Sequence, residues 1–147
     1  MSYQHLLVPV DGSQISLAAV KHAAQLAKEM NAKLSLISLI SENPFDHADF
    51  YHASPVMKDY FIQAYSNAEQ ALLDAKQLAA QLNVIAESEI VQGQVSASEV
   101  VDFAQERGVD VIVIGSHGRK GVQKFFLGSF AQDVLMASQL PVLIIKQ

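Results

Sequence analysis

Four positions near the C-terminal end carry the most specific chemical signal in the chain. Gly115 and Gly118 are separated by two residues, Gly118 and Gly128 by nine, and Ser129 follows at once. A glycine at a strand exit lets main-chain N–H groups approach a ligand with no Cβ in the way. Gly128-Ser129 stands where a new helical pattern begins, which adds unpaired N–H groups, a hydroxyl and the positive end of a helix dipole. Arg119, Lys120 and Lys124 lie between the glycine sites, and no acidic residue occurs from Val111 to Gln132 in a chain of formal charge −5. Local positive charge on an acidic protein points to an anionic ligand, most simply a phosphate chain. Asp11, at the end of a distant apolar run, is a second candidate. Its carboxylate can accept from a ribose hydroxyl or help hold Mg2+ beside phosphates, or else bond the backbone of its own turn.

The commoner phosphate loops do not fit. Gly121 is followed by Val122, so there is no G-x4-G-K-[ST], and Gly115-Ser-His-Gly118 is not G-x-G-x-x-G. The pattern present is G-x2-G-x9-G-[ST], and with it the chain resembles the ATP-binding branch of the universal stress protein family. The opening HLLVPVDGS and the closing SQLPVLII look like that family's first and last strands, so the resemblance covers nearly all 147 residues. It implies a Rossmann-like fold of the adenine nucleotide alpha hydrolase type with strand order 3-2-1-4-5. It also implies ATP, with Mg2+, between the ends of strands one and four. Pro9 and Val10 would then form an apolar wall, Asp11 a polar contact or Mg2+ ligand, and Leu39 a surface for adenine. Main-chain contacts would come from Ile114, Gly115, Gly118, Gly128 and Ser129, with Phe130 close by and Arg119 reaching phosphate oxygens. The family further implies a cytoplasmic regulator that dimerises through its last strand, Val142 to Ile145.

The elements that must position these residues follow from hydrophobic period. His5 to Val10, Lys33 to Ile40, Val84 to Val91, Val109 to Ile114 and Pro141 to Ile145 read as strands. Between them, Ile15 to Met30, Val56 to Leu82, a segment ending near Arg107, and Ser129 to Ala137 carry helical spacing. Ser13 is placed to cap the first helix, with Asn31, Asn83 and Gly108 closing the first three. Ser96 and Glu99 match the S-x-x-E capping box. Gln92-Gly93 reads as a break, and Ser41 to Pro55 as a loop. Alternating strands and helices give an α/β three-layer sandwich: one domain, residues 1–147, with a five-stranded parallel sheet and helices on both faces. Ligands on such sheets bind at the carboxyl ends of the strands.

Composition narrows the partners. Half the residues are hydrophobic and 17% are charged, so the chain folds rather than staying disordered. There is no cysteine, hence no disulfide framework or thiolate metal site. The first residues lack a basic, long-apolar leader, and no apolar run approaches the ~18 residues of a membrane span. A soluble intracellular domain that binds neither nucleic acid nor membrane is expected.

Other chemistry-bearing residues form no pattern. Asp46, His47, Asp49 and His52 fit solvated loop positions better than a metal site. His5 and His22 stand alone, and His117, Lys120 and Lys124 read as surface groups. Ser129 has no histidine partner for nucleophilic catalysis. Two alternatives to a binding protein remain: a slow ATPase or adenylate-handling enzyme resting on Arg119 and Asp11, and a nucleotide-independent interaction protein. Phe125, Phe126 and Phe130 either crowd the site or floor it.

Overall fold

A computed structural model describes residues 2–42, 55–117 and 126–146. In chain order the elements are β1 (His5–Pro9), α1 (Gln14–Met30), β2 (Lys33–Ser41), α2 (Pro55–Gln81), β3 (Glu87–Gly93), α3 (Ala97–Glu106), β4 (Val111–Gly115), α4 (Ser129–Ala137) and β5 (Val142–Ile145). The strands form one parallel sheet in the order β3-β2-β1-β4-β5, as expected.

Side chains alternate across the sheet, so each strand feeds both layers. Leu6, Val8, Leu34, Leu36, Val111 and Val113 pack beneath α1 and α2. Those helices meet the sheet largely through small residues: Ala19, Ala23, Ala24, Ala27, Ala71, Ala75 and Ala79. Leu7, Ile37, Ile112 and Ile114 face the other way, against Val100, Phe103 and Ala104 of α3 and Ala131 and Val134 of α4.

Helix ends follow local chemistry. Ser13 caps α1, its side chain accepting from Ser16 N at 3.2 Å. Asn31 (φ 53), Asn83 (φ 62) and Gly108 (φ 69) adopt left-handed backbone after the first three helices. The next residue in each case bonds five positions back: Ala32 N to Ala27 O, Val84 N to Ala79 O, and Val109 N to Ala104 O. That is the Schellman closure, which satisfies the orphan carbonyls of a last turn.

Four expectations need correction. The capping box is not formed: Ser96 is the N-cap of α3 but makes no side-chain cap bond, and its Oγ instead lies 3.0 Å from Ser98 Oγ. Glu99 lies against Gly93, where an added Cβ would be 2.8 Å from Oε1. Gly93 is therefore no break; it ends β3 in register with Ser41. Val84 and Ala86 do not start that strand, because they are drawn into the α1/α2 core at the end of α2. Ser41 and Pro55 belong to β2 and α2 respectively. Proline suits the first turn of a helix, where its missing N–H would have no partner. Asp46, His47, Asp49 and His52 lie outside the described residues.

Candidate nucleotide site

β1 and β4 are hydrogen-bonded neighbours, with Leu6 opposite Val111 and Leu7 opposite Ile112, so their carboxyl ends emerge side by side. Val10 prolongs β1 by one bond, its N–H donating to Ile37 O at 2.7 Å. The Val10 side chain is buried under α1, and Ile114 is buried in the opposite core. Each therefore offers the crevice its backbone rather than its side chain. Pro9 is half-buried, and so is Leu39 near the end of β2, packed against the α3/α4 core.

Asp11 sits at the turn as expected, half-buried. Its Oδ1 accepts from Ser13 N at 2.9 Å, forming an Asx turn that fixes the entry to α1. The carboxylate thus has a structural duty besides any ligand it meets.

The glycines have a packing reason as well as a chemical one. A Cβ at Gly115 would lie 2.8 Å from Ile15 Cγ1 and 3.3 Å from Ile15 O, so β4 exits directly against the first turn of α1. A Cβ at Gly128 would meet His117 Cα at 3.0 Å and Ser116 O at 3.1 Å. Gly128 N donates to Ser116 O at 2.6 Å, and Ser116 N to Ile145 O at 2.8 Å. These bonds hold the start of α4 against the exit of β4. The approach of Ile15 to Gly115 and of Ser116 to Gly128 has no sequence signal, because a contact between distant segments leaves no local pattern.

The amide of Gly128 is already engaged, so an anion would meet the N–H groups that follow it. Those of Ser129, Phe130 and Ala131 open the helix and have no intrahelical acceptor. The N-cap is a glycine and supplies no capping side chain, and no acidic residue lies in the first turn of α4. Such a terminus suits phosphate oxygens. Ser129 is exposed. Phe130 packs against the α3/α4 core, whereas Phe126 is exposed. His117 pairs locally with Ser116 Oγ, 3.2 Å from Nδ1. Gly118, Arg119, Lys120, Lys124 and Phe125 lie outside the described residues.

A carboxylate can share Mg2+ with phosphate, and open helix amides can receive phosphate oxygens. Among the described residues, no group of three or more His, Asp or Glu side chains could hold a metal ion unaided.

Against this geometry, the sequence model of the universal stress protein family matches residues 2–146. The chain belongs to the universal stress protein family. It is 34% identical to the universal stress protein YxiE of Bacillus subtilis, over 98% of this chain and 99% of that one. The fold is that of universal stress protein UspA from Lactobacillus plantarum, with a TM-score of 0.83 at 23% identity over 99% of both chains. A crystal structure of a universal stress protein in complex with cAMP matches with a TM-score of 0.74 at 30% identity, over 99% of this chain and 98% of that one. Among the described residues, no helix is long and apolar enough to cross a membrane.

Proposed function

We propose that the protein binds an adenine nucleotide, ATP with Mg2+, between the ends of β1 and β4, and serves as a nucleotide-responsive regulator in the cytoplasm. The observation that carries this reading is the start of α4, held by Gly128 and Ser116 against the exit of β4, whose sheet neighbour β1 leads to Asp11. It stands in a chain with intact G-x2-G-x9-G-S spacing. The similarity to a family member complexed with cAMP supports an adenine ligand. In this reading the open amides of α4 and Arg119 hold phosphate oxygens, and Asp11 takes a ribose hydroxyl or Mg2+. Pro9 and Leu39 border the base. Bound nucleotide stabilises the fold by mass action.

The reading includes a homodimer formed through β5. That strand is an edge of the sheet, and Leu143 on it is exposed. An unpaired edge carrying an apolar side chain gains from pairing with its twofold mate.

Calorimetry of the folded chain with Mg-ATP tests the proposal. Saturable binding is expected, and Gly118→Val should weaken it roughly tenfold, equivalent to about 1.4 kcal/mol. No heat at millimolar nucleotide would defeat the reading, and unchanged affinity in the variant would remove the loop from the site. Turnover well above the spontaneous rate, lost in Asp11→Asn, would make the protein an enzyme instead.

A further inference from the structure

The amino ends of the strands hold a second polar arrangement, in which the proposed nucleotide site has no part. His5, the first residue of β1, is only 7% exposed. Its Nδ1 lies 3.1 Å from the Arg107 carbonyl and its Nε2 lies 2.7 Å from Ser35 Oγ. A carbonyl can only accept, so Nδ1 carries the proton, and Nε2 of the neutral ring accepts from the Ser35 hydroxyl. One ring thereby joins β1 to β2 and to the turn between α3 and β4. Asp110 fastens the same turn: Oδ1 accepts from His5 N at 3.0 Å, Oδ2 from Gln4 N at 2.8 Å, and Asp110 N donates to His5 O at 3.0 Å.

We propose that the His5 ring is an acid-sensitive joint, which on gaining a second ring proton releases β2 at Ser35 from β1 and the α3–β4 turn while the α1/α2 layer stays folded. A charged ring makes both nitrogens donors: Nδ1 keeps its bond to the Arg107 carbonyl, which favours the charge, while Nε2 turns a donor on the Ser35 hydroxyl. Ser35 would have to turn its own proton away from the ring, although it is only 5% exposed. The charged groups around the ring offer little compensation. From β2, Lys33 repels a second positive charge. From β3, Glu87 attracts it but is paired with Lys33 at 3.2 Å. From the turn, Asp110 attracts it with both oxygens already accepting backbone bonds. The Arg107 guanidinium is paired with Glu89 at 2.8 Å. A cleft of about 350 Å3, lined in part by Ser35, Glu87, Glu89, Phe103 and Arg107, opens beside the joint. On β1, His5 lies on the same face as Leu7, away from the cluster that binds α1 and α2.

Burial opposes charging and holds His5 below the ordinary histidine value. The unfolded or opened chain then takes the proton more readily than the closed one. The contribution of the joint is complete above the ordinary value of about 6.5 and is lost as pH falls through the lower folded value.

Imidazole NMR titration and amide hydrogen exchange of the full chain, between about pH 8 and 5, test the joint. His5 is expected to titrate below 6.5. Protection of the Lys33 amide, which donates to Gln4 O between β2 and β1, should fall on acidification, by roughly tenfold per unit of pKa depression, relative to Val20 and Ala23 in α1. His5→Gln cannot gain charge and should abolish that difference. If that variant does not fold, Lys33→Gln removes the repelling charge from an exposed side chain. It should raise the His5 value and shrink the acid loss. Titration of His5 at or above the ordinary value, or a Lys33 amide that keeps step with α1, would overturn the proposal.

Discussion

The two ends of the sheet follow opposite rules. At the amino ends, side chains saturate the backbone and one another: Asp110 accepts two N–H groups, His5 engages both ring nitrogens, and Lys33 and Arg107 each find a glutamate. At the carboxyl ends of β1 and β4, side chains are withheld. Gly115 and Gly128 bring backbone against backbone, and α4 begins on a glycine with no acidic residue in its first turn. The difference lies in unused hydrogen-bonding capacity. A saturated end closes a fold, and an end with open donors can accept a ligand.

Three substitutions probe the contrast. Gly115→Val should have the largest effect, because its side chain would collide with Ile15 on an adjoining element. A loss of about 2–3 kcal/mol is expected in urea unfolding. A neutral outcome would show that the β4 exit tolerates side chains and that the close approach is incidental. Asp110→Ala comes next, since it strips acceptors from the His5 and Gln4 amides at the other end. Unfolding free energy should fall by about 1–2 kcal/mol, while nucleotide affinity stays within the error of calorimetry. A large change in affinity would mean that the two ends are coupled. Glu89→Gln breaks a pair whose side chains are both about half exposed. A shift within about 0.5 kcal/mol is expected, and a larger one would make the Arg107 side chain a structural member of the saturated end.

Much of the fold was legible because its signals are local. The strand–helix alternation, the left-handed Asn31, Asn83 and Gly108, and the Ser13 cap each act within a few residues. Glu99 misled because its local motif is valid, yet Gly93 on the preceding strand leaves room for its carboxylate. Val84 and Ala86 alternate as a strand would, but the closure of α2 turns both into the core. His5 looked solitary for a related reason: its partners Ser35 and Arg107 come from other elements and were unmarked in sequence. For the site, glycine spacing and strand order pointed to the carboxyl ends of β1 and β4, which the sheet sets side by side. That Gly128 gives its amide to Ser116, and that Asp11 bonds Ser13, depended on three-dimensional closure.

The alanines between α1, α2 and the sheet carry a consequence for how such a molecule can vary. Helices resting on methyl groups stand close to the strands, and little free volume separates the layers. Enlarging any of these residues pushes a whole helix outward, whereas shrinking one to glycine loosens its helix. Tolerance of change must therefore concentrate in the connections and the outer helix faces, and a new ligand preference can arise there without disturbing the central slab.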